Sequence, residues 1–365
     1  MAPIDTDELQ TVPDRDGDGV AAAPDRELAW DWDEVTLAAL AGFFEERGVM
    51  SGPLRSTPIG DGHSNLTFLI TDGEASVVVR RPPPPPLPPG ANDMLREARF
   101  LSGLHSTGYP VPEVLATAQA GEVLDVPFYV MSFARGHVVT TATPEALATP
   151  EQRLNIAHSL VDNLARLHLT DYRAAGLEDL GRPEGFNARH LKRMARLVQD
   201  EQGGLPAEFT DVYDWLAANV PAESGAAVVH NDYRIGNTMV APDAPGRVVA
   251  VLDWELATLG DPLFDLGYFL SSVPEPGHAR TPTEDLGTAM LEEGYPGRAE
   301  LAERYAQRTG ADLSHLDWYI TLALWKLAAL YEYSRRRGED EYYQTPGLVD
   351  SFLAEARETA GLPTD

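Results

Sequence analysis

Hydrophobic and polar positions recur with two different periods along this chain, and the period changes about a third of the way in. Leu37, Leu40, Ala41, Phe43 and Phe44 fall on one face of a helix over 33–47, which Gly48 ends. Short apolar runs then predict strands at 53–59, 66–71 and 76–80, the last two joined by an Asp72-Gly73 hairpin signal. A helix over 92–105 and strands over 113–118 and 127–133 complete a β-rich first third with one inserted helix. Past Gly136 the helical period takes over. Thr149-Pro150-Glu151-Gln152 is a capping box with proline at the first helical position, opening a helix through Leu169. Further helices are predicted near 188–202, 207–218, 262–273, 283–293, 298–308, 316–337 and 348–360. Two short β-like runs, 228–240 and 248–254, interrupt them around a polar cluster.

There is no internal repeat and no regular strand–helix alternation, which argues against a doubly wound dinucleotide fold. The pattern predicts an α+β chain in three parts. Residues 1–28, rich in Asp, Pro, Gly and Ala without periodicity, read as a flexible tail. Residues 29–133 read as a β-rich lobe and 134–365 as a mostly helical one. The run Pro82-Pro83-Pro84-Pro85-Pro86-Leu87-Pro88-Pro89-Gly90 lies between folded-looking segments and reads as a stiff surface connection rather than a recognition ligand.

Composition narrows the chemistry. The chain has 365 residues, with 28 Lys and Arg against 57 Asp and Glu, a formal net charge of −29. A hydrophobic fraction of 43% supports a real core. With 0 cysteines, a disulfide scaffold, a cysteine zinc site, an iron–sulfur centre and thiol catalysis are excluded. The acidic excess repels nucleic acid and anionic membrane, so neither is expected as a partner. It repels ATP as well, so a nucleotide site here needs local cations and a metal. Basic charge is almost all arginine, the lysines being Lys192 and Lys326 alone. The N-terminus lacks the basic start and apolar run of a signal peptide, and no apolar stretch approaches the roughly 18 residues of a membrane span. A cytoplasmic protein is expected, its oligomeric state left open.

The polar cluster carries the chemistry. It reads Val228-Val229-His230-Asn231-Asp232-Tyr233-Arg234-Ile235-Gly236-Asn237-Thr238-Met239-Val240, with a partner run Val249-Ala250-Val251-Leu252-Asp253-Trp254-Glu255. Phosphoryl transfer to a hydroxyl needs a carboxylate to orient the hydroxyl and take its proton, and oxygen ligands that hold Mg²⁺ against the phosphates. Asp232 and Asn237, five apart on a tight loop, can face one cavity, Asp253 at the end of an apolar strand can complete a metal site, and Gly236 lets the loop turn. In both segments polar residues stand at the edge of apolar strands, where burial is costly without a use.

His230-x-Asp232 followed by Asn237, with an apolar strand ending in Asp253, resembles the motif of the aminoglycoside phosphotransferase and choline kinase-like family of small-molecule kinases. Asp253-Trp254-Glu255-Leu256-Ala257 and Gly260-Asp261-Pro262-Leu263-Phe264-Asp265-Leu266 narrow the resemblance to the subgroup found as the kinase domain fused to acyl-CoA dehydrogenases. The similarity spans roughly residues 32–353 and implies a bilobal protein-kinase-like fold. It implies ATP, with GTP not excluded, and Mg²⁺ as cofactors. It implies a hydroxyl of a small molecule as the acceptor, with a hydroxylated acyl compound as the first expectation. The alternatives are an aminoglycoside or other amino alcohol, and a nucleotide-binding pseudokinase module without turnover. Carried over residue by residue, Asp232 matches the catalytic base, and Asn237 and Asp253 the metal ligands. His230, Asp265 and His168 match structural supports. Gly60, Gly62, Ser64 and Asn65 stand where a loop covers phosphate. Arg80 stands where the fold usually has a nucleotide-binding lysine, with Glu97 placed to pair with it and Arg81 as the neighbour that can share the role. Backbone groups at Ser132 and Phe133 are the expected adenine contacts. Arg234 and Lys326 are the candidate acceptor contacts.

Overall fold

Five strands of the first third assemble into one antiparallel sheet. The computed structural model describes residues 32–59, 65–83, 92–243, 245–338 and 340–363. The 1–28 tail, residues Gly60, Gly62 and Ser64, and most of the proline run lie outside these. Helix α1 (Glu34–Glu46) starts at Asp33, whose side chain accepts the Thr36 N–H at 2.7 Å. The strands are β1 (Arg55–Pro58), β2 (Leu66–Thr71), β3 (Ser76–Arg81), β4 (Val114–Ala118) and β5 (Phe128–Ser132), in the order β1-β2-β3-β5-β4. Asp72 closes the β2–β3 hairpin by accepting the N–H groups of Glu74 and Ala75. Helix α2 (Met94–Ser106) joins β3 to β4.

The period-2 alternation then decides which side chains meet. Phe68, Ile70, Val77, Val79, Phe128 and Val130 pack with Leu40, Phe43 and Phe44 of α1 in one core. Burying each such side chain stabilises by about 1.5–3 kcal/mol. Arg80 alternates to the other face, where Glu97 of α2 meets it.

The chain divides into two units. One holds the described residues through His137 together with Ala250–Glu255, and the other holds Val138–Val249 and the residues from Leu256 onward. The sequence pattern assigns 250–255 to the helical part. In the structure this segment groups with the sheet, because Val251 N–H donates to Pro110 O at 2.8 Å and the Trp254 ring meets Tyr109 edge-on at 6.0 Å.

After β6 (His137–Val138) the second unit is helical. Its helix α3 (Pro150–Leu169) has both halves of the Thr149/Gln152 capping box in place. Next come α4 (Phe186–Val198), α5 (Ala207–Ala218), and the strands β7 (Ala227–Val229), β8 (Thr238–Val240), β9 (Val248–Val251) and β10 (Thr258–Gly260). Helices α6 (Pro262–Ser271), α7 (Pro282–Asp285), α8 (Arg298–Thr309), α9 (Leu316–Arg337) and α10 (Leu348–Thr359) follow. Buried Trp318, Leu322 and Trp325 make α9 the axis on which α4, α5, α6 and α10 pack.

Two sequence expectations change. The helix expected over 283–293 is broken into α7 and a separate turn at Thr288–Leu291, because Gly287 lies between them against the Ser272 carbonyl. The single β-like run over 228–240 is β7 and β8 with a polar loop between, and β7 pairs antiparallel with β10, three residues too short to stand out in the sequence. No helix among the described residues is long and apolar enough to cross a membrane.

Candidate active site

The loop between β7 and β8 is fixed before it presents any side chain. Asn231 adopts a left-handed backbone, φ 67°, which asparagine tolerates better than most residues. Four contacts hold it there. Asp265 of α6 accepts the Asn231 N–H at 2.7 Å through one oxygen and the His230 N–H at 2.5 Å through the other. Asn231 donates its side-chain amide to Leu256 O at 2.8 Å, and Lys326 of α9 donates to Asn231 O at 2.6 Å. His168 Nε2 stands 3.3 Å from Asp265, and its Nδ1 stands 2.6 Å from the Tyr305 hydroxyl. His230 is fully buried, its Nδ1 accepting the Asp232 N–H at 3.2 Å. His168, His230 and Asp265 therefore brace the loop from beneath.

Asp232 stands on this brace, half-buried. Its Oδ1 accepts from the Tyr268 hydroxyl at 2.5 Å and its Oδ2 from Asn237 Nδ2 at 2.7 Å. The same Nδ2 also donates to Asp232 O at 2.8 Å, so Asn237 Oδ1 is the atom a cation would take. Arg234 Nε lies 3.7 Å from Asp232 Oδ1. Gly236, expected to let the loop turn, does so without a left-handed backbone. It makes room, since a Cβ there would strike the Arg234 guanidinium.

Lys326, expected at the acceptor, is buried under the loop instead. Its ammonium is occupied by Asn231 O and lies 4.5 Å from the centre of the Tyr268 ring. Burial pushes it down to about 8, against the opposing pull of Asp232 and Asp265. Of the two candidate acceptor cations, Arg234 is the one that stands beside Asp232. Tyr268 was not among the candidate site residues. Its signal was its place one helical turn after Asp265, on the same face of α6.

The first unit holds a second charged cluster. Arg80 Nε lies 3.3 Å from Glu97 Oε1, and its Nη2 lies 2.6 Å from Asp253 Oδ1 and 3.7 Å from Glu255 Oε2. Glu97 is buried and hydrogen-bonded by the Tyr129 hydroxyl and the Trp254 backbone. Burial pushes the Glu97 carboxyl up, against the pull of Arg80. Burial also disfavours the Arg80 charge, but the surrounding carboxylates more than offset this and hold the guanidinium above its ordinary value. Arg81 points to the opposite face, its guanidinium 5.5 Å from the Phe68 ring centre, so the register gives Glu97 to Arg80. Asp253 itself has a left-handed backbone, φ 64°. Asn65 donates to Glu255 at 2.7 Å and accepts from Asn92 at 2.8 Å. At the end of β5 the Ser132 N–H is already used by Glu113 O at 2.8 Å, and half-buried Phe133 follows it.

Among the described residues no group of three or more His, Cys, Asp and Glu side chains could hold a metal by protein ligands alone. Mg²⁺ does not need one. It keeps several waters and substrate phosphate oxygens and takes one or two protein oxygens. An aspartate carboxylate and an asparagine carbonyl are oxygen donors of the kind it accepts, so Asp253 of the first unit and Asn237 of the second each offer a donor that suits the ion.

Comparison with known proteins bears on the family and the fold. A model of the phosphotransferase enzyme family matches residues 55–319. Acyl-CoA dehydrogenase family member 11 of Rattus norvegicus is 32% identical over 290 residues, 77% of this chain and 36% of that protein. The chain thus spans little more than a third of that relative's length. The crystal structure of a candidate aminoglycoside phosphotransferase from Ralstonia eutropha superimposes with a TM-score of 0.72 at 29% identity, over 88% of this chain and 95% of that one. An aminoglycoside phosphotransferase, APH(4)-Ia, solved with AMP-PNP and hygromycin B, superimposes at 0.56 and 18% identity over 89% of this chain and 100% of that one. The fold is α+β and protein-kinase-like, with a sheet in the N-lobe and helices in the C-lobe.

Proposed function

This chain belongs to the phosphotransferase enzyme family, and from that premise we propose that it is an ATP- and Mg²⁺-dependent kinase for a hydroxyl group of a small molecule. One observation supports this above the rest. Asp232 is a half-buried carboxylate on a braced loop, held through both oxygens by Tyr268 and Asn237. A base placed this way can orient a hydroxyl and accept its proton.

Arg80, held by Glu97, grips the α- and β-phosphates with a guanidinium fork in place of the usual lysine. Gly60, Gly62, Ser64 and Asn65 cover the phosphates, and backbone groups at Phe133 receive the adenine in preference to Ser132, whose N–H is taken. Asn237 and Asp253 are the oxygen donors assigned to Mg²⁺, which when bound would neutralise charge on the β- and γ-phosphates. The APH(4)-Ia complex with AMP-PNP supports a nucleotide as the donor. For the acceptor we favour a hydroxylated acyl compound, in keeping with the acyl-CoA dehydrogenase relatives and with Arg234 beside the base. A polycationic aminoglycoside is disfavoured next to that guanidinium. The protein is proposed to act in the cytoplasm, without nucleic-acid or membrane partners.

A nucleotide-binding module without turnover is the second reading. It is favoured by the 2.6 Å contact of Arg80 with Asp253, which engages an oxygen assigned to the metal. Melting temperature with ATP, in the presence and absence of Mg²⁺, followed by ATP consumption, separates the two. A Mg²⁺-dependent upward shift with turnover is the kinase result. A shift indifferent to Mg²⁺ and no turnover is the result of the second reading.

A further inference from the structure

We propose that Tyr268 is a positioning residue for the base: its hydroxyl fixes the Asp232 carboxylate in the orientation that receives the acceptor hydroxyl. This rests on the reading of Asp232 as the base. The side chain of Tyr268 is buried, and its O–H meets Asp232 Oδ1 at 2.5 Å, the range of a hydrogen bond strengthened by a charged acceptor. Burial first, and then the charge of Asp232, push the phenol well above its ordinary value, so it stays a donor.

The placement of the hydroxyl is rigid. Tyr268 lies on α6 one turn after Asp265, which is itself bonded to the N–H groups of His230 and Asn231. The Lys326 ammonium stands against the ring and holds Asn231 O. One helix thus sets the backbone of the loop through Asp265 and its reacting side chain through Tyr268.

A second hold on the carboxylate is needed for two reasons. Asn237 Nδ2 grips Oδ2, but the same nitrogen also donates to Asp232 O, so its amide is shared between the carboxylate and the backbone. Arg234 lies 3.7 Å from Oδ1 and would draw the carboxylate toward itself if Oδ1 were released. Tyr268 occupies that oxygen without taking part in metal binding.

The test is Tyr268→Phe in the full chain, with MgATP as substrate and water as phosphate acceptor, alongside Asp232→Asn. The variant removes one hydroxyl and leaves the packed ring. A misplaced base should lower kcat by about 10- to 100-fold. The KM for ATP should stay within about twofold and the melting temperature near that of wild type. A merely structural role would move KM or melting temperature and spare kcat, and that outcome overturns the proposal. So does full turnover in Tyr268→Phe where Asp232→Asn has lost it. Turnover that survives Asp232→Asn would instead refute the reading of the base. A crystal structure of Tyr268→Phe decides without activity. The Asp232 carboxylate rotated toward Arg234 is the expected result, and an unmoved carboxylate overturns the proposal.

Discussion

The two charged clusters are built on opposite plans. Around Arg80 one guanidinium faces Glu97, Asp253 and Glu255, so negative charge is in surplus, and these residues come from three separate stretches of the sequence. Around Asp232 both carboxylate oxygens are hydrogen-bonded by neutral donors, Tyr268 and Asn237, which come from one helix and one short loop. The first plan leaves charge to be balanced by whatever binds, as a site for a cation and phosphates does. The second fixes geometry in advance, as a base does. Rigidity and charge are thus assigned to different parts of the chain.

The largest effect should come from removing the brace. Asp265→Ala leaves the buried N–H groups of His230 and Asn231 without their acceptor, and each costs about 1–3 kcal/mol. Chemical denaturation should show a loss of about 2–5 kcal/mol together with loss of turnover. A stability near that of wild type would mean that the loop does not depend on its brace, and the contrast would fail.

Arg80→Ala attacks the other plan. It removes the cation from among three carboxylates, so ATP affinity by calorimetry should fall about 10- to 100-fold, with turnover following. If Arg81→Ala does this damage and Arg80→Ala does not, the assignment of faces on β3 is wrong.

A third shared-cation cluster tests whether surplus carboxylate alone makes a site. Arg298 bonds both Glu284 and Glu355 at 2.7 Å in the second unit. Burial pushes the Glu355 carboxyl up to about 7, against the pull of Arg298. Its folded-state value thus lies above the ordinary 4.5, so folding favours the protonated form. The contribution is fully present below about 4.5 and is lost as pH rises through about 7. The free energy of unfolding should fall between these values by an amount on the order of 1–3 kcal/mol, read as a lower melting temperature. Glu355→Gln should flatten the fall and leave turnover unchanged.

The smallest effect is the sharpest on Arg80. Arg80→Lys keeps the charge but offers a single-point head, so a pocket adapted to the fork should lose several-fold in ATP affinity. A gain would show that the pocket tolerates arginine without using it.

What could be read from the sequence follows the same contrast. The Asp232 loop was legible because its residues are contiguous between two apolar strands. The Arg80–Glu97 pair was legible because strand register and the first turn of a helix place both. Tyr268 was not, since a tyrosine in an apolar helix reads as core until its hydroxyl is seen to have a charged partner. Lys326 was misplaced for a related reason. A lone lysine in an apolar helix suggests an open pocket, whereas a buried backbone carbonyl at a left-handed residue can take its ammonium. The grouping of 250–255 with the sheet depends on Tyr109 and Pro110, too far away in sequence for any local pattern to show.

The central claim is that Asp232 is a working base. The direct measurement is the rate of ADP formation from MgATP by wild type and by Asp232→Asn, with equal melting temperature and equal nucleotide binding as the condition of comparison. The substitution is nearly isosteric and removes proton acceptance, so the rate should fall by about 10²- to 10⁴-fold. Equal rates in the two proteins would contradict the account.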